Sequence, residues 1–368
     1  MKISKLRLEN FKRFDSLEID CTNKLTGDIA DQFLILGDNG TGKTSVLQAM
    51  ALCLSICSGK IRSVSEFDWQ GWVPDRYEKW GKPLIELDVH FVEEEIKATR
   101  EVAKKWLELH NPKSKALPGE NKKLTLRLQG EWCEAVDEEG RKDRAHLLQL
   151  RGRFYTAQLI KTSPWARDYF DALPGFFWFD QFRNLATPPF EGEGGGREKT
   201  ATGRVSYDVG VSRLRRYLNS WKLHQMAGSD GGKDWLMELE NSYKKVFPGR
   251  SFRGLEAMHK GGIPAPEDYF FTLWDGLKTY DIEEMSAGEQ SIFPMLFEFV
   301  RMQIRNSVVL IDEVDLNLHP PLAQSLVSAL PVLGRNCQFI LTTHSESVAS
   351  ILSPEEVYRL EGGRRHPL

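Results

Sequence analysis

Residues 35–47, ILGDNGTGKTSVL, set Gly37, Gly42, Lys43 and Thr44 at the spacing G-x-x-x-x-G-K-[ST] without a mismatch. Such a turn has a definite chemistry. Its glycines let successive backbone N–H groups, from Gly37 through Asp38, Asn39, Gly40, Thr41 and Gly42 to Ser45, curl around phosphate oxygens. Lys43 can reach the β and γ oxygens, Thr44 can ligate Mg²⁺, and the helix that follows turns its positive end to the anion. At ordinary residue frequencies a chance match in a chain this long is expected about 0.01 times. The turn is therefore read as a nucleoside triphosphate cradle.

Three further stretches carry candidate chemistry. In VVLIDEVD, residues 308–315, four apolar residues bring Asp312 to the carboxyl end of a buried strand, where it can hold the Mg²⁺ shell through water. Glu313 can then polarise a water attacking the γ-phosphate. Alone, an acidic pair after a strand is more often a helix cap; the glycine loop reverses that preference. MSAGEQ, residues 285–290, precedes a helix and offers Ser286 and the Gly288 backbone to an anion, although an N-cap with Glu289 as its capping residue is the simpler reading in isolation. LTTHS ends a strand about thirty residues beyond Glu313 and puts His344 at the same sheet edge, in reach of a γ-phosphate.

The elements that must position these groups follow from periodicity. MKISKLRLENFKRFDSLEID alternates as an opening hairpin, DQFLIL is a buried strand, and an amphipathic helix runs from about Lys43 to Leu54 with Val46, Leu47, Met50 and Leu54 inward. PLIELDVHFV is a strand, and residues 93–127 read as a charged helix, a loop and a strand that extend the sheet laterally. FFWFDQFRN ends an apolar run at Gln181, residues 187–203 (TPPFEGEGGGREKTATG) read as a mobile loop, and 204–247 as two helices split by AGSDGGK. The last third alternates helix and strand, so the sheet should be mainly parallel. The expected division is 1–180, an N-terminal lobe with a β extension; 181–280, a helical insertion; and 281–368, a C-terminal lobe.

Bulk composition narrows the partners. The formal charge is −3, so nucleic acid would have to be held by local patches, for which Lys104, Lys105, Lys113, Lys115, Lys122 and Lys123, or Arg213, Arg215, Arg216 and Lys222, are candidates. A solvated face explains both stretches equally well. No uncharged apolar run approaches the roughly 18 to 20 residues of a membrane span, and no leader pattern opens the chain; a soluble, cytoplasmic protein is expected. Five cysteines without metal spacing read as reduced thiols, Cys53 and Cys57 sharing a helix face. Trp69, Trp72 and Trp80 fit a partner surface or the core.

The order of glycine loop, glutamine, serine-glycine turn, acidic strand and histidine resembles the ATP-binding-cassette (ABC-type) ATPases. Within them it is similar to the SMC, RecF and OLD-like branch, whose opening strand pair KLRLENFKRF looks like and whose acidic segment DEVDLNLHP resembles. The resemblance covers about 1–55 and 280–350; SAGEQ departs from the common LSGGQ. It implies an α/β P-loop NTPase head with a mixed sheet, an N-terminal antiparallel β extension and a short helical insertion without a long coiled coil. It assigns Lys43 and Thr44 to Walker A, Asp312 and Glu313 to Walker B, Ser286 to Gln290 to the signature, Asp315 to the D-loop, His344 to the switch and Gln181 to the Q-loop and metal shell. It further implies ATP and Mg²⁺, a head-to-tail homodimer sandwiching two nucleotides, and kinship with ATPase subunits of prokaryotic antiphage systems that act beside a separate effector such as a nuclease. A RecF-like role in DNA repair is the alternative it leaves open.

Overall fold

The computed structural model describes residues 1–113, 116–181, 207–228, 233–258, 265 and 268–361. The expected loop at 187–203 and the centre of AGSDGGK lie outside them. In chain order the elements are β1 (Lys2–Phe11), β2 (Phe14–Asp20), β3 (Gln32–Leu36), α1 (Lys43–Cys57), β4 (Leu84–His90), α2 (Glu93–His110), β5 (Lys123–Gln129) and β6 (Trp132–Val136). They continue through α3 (Arg144–Leu148), α4 (Gly152–Leu159), β7 (Gly175–Phe179), α5 (Tyr207–Met226), α6 (Trp235–Val246), β8 (Ser251–Ala257), β9 (Tyr269–Trp274) and β10 (Thr279–Asp281). The last are α7 (Ala287–Arg301), β11 (Ser307–Ile311), α8 (Pro320–Leu333), β12 (Gln338–Thr343), α9 (Glu346–Ala349) and β13 (Val357–Arg359).

Two compact units emerge, one of residues 1–181, 304–315 and 330–368, the other of 182–303 and 316–329. The first holds two five-stranded sheets. One is antiparallel in the order β2-β1-β4-β5-β6. The other, β13-β3-β12-β11-β7, is parallel at every pairing. Alternation dictates the first: Ile85, Leu87 and Val89 of β4 and Leu124, Leu126 and Leu128 of β5 are fully buried, and the residues between them are partly exposed. β11 and β12 are buried at every residue, as a parallel strand covered on both faces must be.

Helix α1 packs against strands of both sheets. That location corrects the amphipathic reading: the helix runs three residues beyond Leu54, and Gln48 and Ser55 are buried with Val46, Leu47 and Met50. Each fully buried Leu or Ile there contributes roughly 1.5–3 kcal/mol. Cys53 and Cys57 do share a face, with Sγ atoms 3.9 Å apart in the core. The tryptophans divide: Trp69 is buried and stacks on Trp178 at 6.1 Å, Trp72 meets Phe67 edge-on at 5.1 Å, and Trp80 is exposed.

In the second unit α5 and α6 form where two helices are expected. Residues 251–257, 269–274 and 279–281, nearly all of which the sequence reading places inside a helical insertion, make the antiparallel meander β8-β9-β10. Arg215 is not a surface cation. It is buried on α5 and ion-paired with Asp281 and, at 2.8 Å, with Glu283. In the first unit Lys105 pairs with Glu101 at 3.0 Å and Lys122 with Glu93 at 3.8 Å, both between exposed side chains.

Candidate nucleotide site

Because β3, β12, β11 and β7 are parallel neighbours, their carboxyl ends share one edge, and each delivers a candidate residue there. The glycine loop leaves β3 after Leu36 and His344 follows β12, exposed. Asp312 and Glu313 follow β11, and Gln181 stands half-buried two residues after β7. Ile311 is in register with Phe179, and the Asp312 N–H donates to the Phe179 carbonyl at 2.9 Å, fixing the acidic pair beside the strand that leads to Gln181.

Backbone conformation in the loop demands its glycines. Gly40 and Gly42 have φ of 78° and 103°, and a Cβ on Gly42 would fall 2.6 Å from Arg13 Cδ and Phe14 Cζ. A Cβ on Gly37 would meet the Leu360 carbonyl at 2.8 Å. Asp38, Asn39 and Gly40 form the exposed tip, and Thr41 is folded inward, its hydroxyl donating to the Asp38 carbonyl at 2.9 Å. Lys43 is buried and donates to the carbonyls of Gly37 and Asp38 at 2.7 and 2.9 Å, which holds its ammonium within the loop.

Thr44 donates to Asp312 Oδ2 at 2.8 Å, and Thr342 donates to Oδ1 at 2.6 Å. Asp312 is fully buried between these hydroxyls. The residues fit Mg²⁺ and a triphosphate: a hydroxyl and a carboxylate in contact are the hard oxygen donors this ion takes, and the exposed tip at Gly40 has open space beside its Cα, so backbone N–H groups there are accessible to an anion. Glu313 adopts a left-handed φ of 46°, a conformation that costs a non-glycine residue roughly 1–3 kcal/mol and recurs at functional sites.

The second unit carries the serine-glycine turn. Ser286 caps α7: its hydroxyl accepts from the Glu289 N–H at 3.4 Å, and its own N–H donates to Glu289 Oε2 at 3.0 Å, a reciprocal capping box. Ser286 is exposed and Gly288 half-buried, and a Cβ on Gly288 would lie 3.2 Å from Leu322 Cδ2. Glu289 is buried with its other oxygen at the Tyr280 hydroxyl (2.6 Å), the Tyr243 hydroxyl (2.5 Å) and Arg250. Burial opposes its ionisation, but Arg250, the two tyrosines and Ser286 outweigh it and bring the carboxyl to about 2. The Glu289 carboxylate is thus turned inward, away from the exposed Ser286. Gln290 turns its amide to the Met285 carbonyl at 3.0 Å.

Sequence reasoning missed Arg13 and Phe14 against the loop, Arg250 and Tyr243 beneath the signature, and Thr342 and Thr343. The available signal for the last two is the pair of threonines that follows the apolar run FIL in QFILTTHS.

A family model described as "AAA domain, putative AbiEii toxin, Type IV TA system" matches residues 33–350. The chain belongs to this family. The match spans the glycine loop, Gln181, the signature, the acidic pair and His344 together. Among curated proteins it is similar to the "Retron Ec83 probable ATPase" of Escherichia coli, at 20% identity over 99% of this chain and 72% of that one. The "Retron Vc95 probable ATPase" of Vibrio cholerae serotype O1 biovar El Tor is 21% identical over 97% of this chain and 73% of its own length. Among solved structures, an SMC head bound to the C-terminal winged-helix domain of ScpA matches with a TM-score of 0.45 and 17% identity, covering 95% of this chain and 91% of that one. The SMC head domain from Thermotoga maritima matches with 0.43 and 15%, over 95% and 92%.

Proposed function

We propose that this chain is an Mg²⁺-dependent ATPase of the AAA/AbiEii-like family, working as the nucleotide-gated subunit of an antiphage defence complex with a separate effector. The observation that carries the reading is the convergence of the glycine loop, Asp312, Glu313, Gln181 and His344 on one carboxyl edge of a parallel sheet. Bound Mg²⁺, held by Thr44 and through Asp312, with Gln181 in its outer shell, would neutralise charge on the triphosphate. The loop N–H groups and Lys43 bind and orient the phosphates, Glu313 accepts the proton of the attacking water, and His344 faces the γ-phosphate. Ser286 and the Gly288 N–H of a second copy cover that phosphate, and Asp315 belongs to the same contact. ATP thus favours closure of a head-to-tail dimer, and loss of the γ-phosphate releases it. The defence role rests on the names of the relatives, which are a retron ATPase and a toxin–antitoxin family.

Among the described residues no helix is long and apolar enough to cross a membrane. For the DNA repair alternative, Arg215 is withdrawn from the surface by its buried ion pair, whereas Lys105 and Lys122 stay exposed beside Glu101 and Glu93. The test is phosphate release by the purified chain with and without duplex or single-stranded DNA, together with identification of proteins that co-purify from its native host. Magnesium-dependent turnover indifferent to DNA, with a nuclease in the complex, is expected; strong stimulation by a DNA junction would transfer the assignment to repair.

A further inference from the structure

The two residues before His344 each hydrogen-bond to several segments of the candidate site. Thr342 takes three consecutive residues of the acidic segment. Its carbonyl accepts the Val314 N–H at 2.9 Å, its Oγ1 accepts the Glu313 N–H at 2.8 Å, and the same hydroxyl donates to Asp312 Oδ1 at 2.6 Å. Thr343 takes the segments on either side. Its carbonyl faces the Gly37 N–H at 3.3 Å, its hydroxyl donates to Asp315 Oδ1 at 2.5 Å and accepts the Ser345 N–H at 2.9 Å, just beyond His344. Both are fully buried at the end of the strand QFILTT, directly after the apolar run Phe339–Leu341, where valine would satisfy packing alone. A buried hydroxyl is kept where its hydrogen bonds are made, and each of these makes two.

We infer that Thr342 and Thr343 are positioning residues for the hydrolytic step, with separable tasks. Thr342 aims the metal-shell carboxylate of Asp312 and holds the left-handed backbone of Glu313. Thr343 joins Asp315 to the turn that carries His344. One strand end thereby sets the glycine loop, acidic pair, D-loop residue and histidine in a common register. Because successive residues of a strand face opposite ways, neither threonine can perform the other's task. This inference rests on the ATPase reading above.

The test uses the full chain with Thr342→Val, Thr342→Ser and Thr343→Val, compared with wild type for melting temperature, kcat and KM for ATP. The Mg²⁺ concentration that half-saturates binding of a fluorescent ATP analogue is measured alongside. Groups that orient metal ligands typically change affinity or activity by about 10- to 100-fold. Thr342→Val should lower kcat and raise the Mg²⁺ requirement on that scale with little change in KM, and Thr342→Ser, which keeps the hydroxyl, should restore both. Thr343→Val should lower kcat with the Mg²⁺ requirement unmoved. Wild-type kcat and Mg²⁺ dependence in a folded Thr342→Val would overturn the inference. So would a folded Thr342→Ser impaired in either, which keeps the test decisive should the valine variant not fold. A wild-type chain that releases no phosphate would instead count against the ATPase reading.

Discussion

The Thr44 hydroxyl donates to Asp312 at 2.8 Å, although 268 residues separate the two in sequence. This bond joins the first turn of α1 to the end of β11, and it is the point at which a phosphate cradle and an acidic strand become a single site. Thr44→Ala removes a hydrogen bond to a carboxylate and should cost about 1.5–3 kcal/mol, read as a lower melting temperature. It should also abolish the Mg²⁺ dependence of nucleotide binding in a calorimetric titration. Unaltered Mg²⁺-dependent binding would exclude Thr44 from the metal shell.

Glu313→Gln preserves shape and the backbone bond to Thr342 while removing the proton acceptor. Turnover should fall by roughly 10²- to 10⁴-fold, with ATP affinity retained in a filter-binding assay. A variant that hydrolyses at the wild-type rate would leave Glu313 without its assigned role.

Gly42→Ala puts a methyl group 2.6 Å from Arg13 and Phe14 at a φ of 103°. Strain at such a position is worth roughly 1–3 kcal/mol, and the loop cannot relax without moving its N–H groups. Melting temperature and ATP affinity should therefore fall together; intact affinity would mean that the loop geometry is not what binds phosphate.

Glu289 ties the signature turn to Arg250, and its pH behaviour follows from its depressed pKa of about 2. The unfolded carboxyl titrates near its ordinary 4.5, so its contribution to stability is complete above that value and is lost as pH falls toward 2. Glu289→Gln should destabilise toward the lower end of ~3–5 kcal/mol, since the Arg250 side chain remains 30% exposed. The gap in melting temperature between variant and wild type should be constant from pH 5 to 8 and narrow between 4.5 and 2. A gap that does not narrow would contradict the ionised pair.

What the sequence discloses of this site is what is local in the chain. Gly37 to Thr44 carry their chemistry in their spacing, and VVLIDE shows a buried strand ending in acids, so both are readable before folding. Arg250 precedes β8 and Glu289 lies on α7, and the intervening meander β8-β9-β10, irregular at Gly254 and turning through Gly276 between β9 and β10, has no strong periodic signal. Arg215 reads as a surface cation because its helix is rich in charge; its burial depends on Asp281, which no periodicity reveals. Helix α1 reads as amphipathic because a one-dimensional pattern does not disclose a second sheet covering its other side.

The central claim is that two copies enclose each triphosphate, and the native mass of the Glu313→Gln chain with and without Mg-ATP tests it most directly. A monomer that doubles its mass on adding ATP, and fails to do so when Ser286→Arg is combined with it, is the predicted result. Mass unchanged by ATP in a wild-type chain that nonetheless hydrolyses it at full rate would contradict the account.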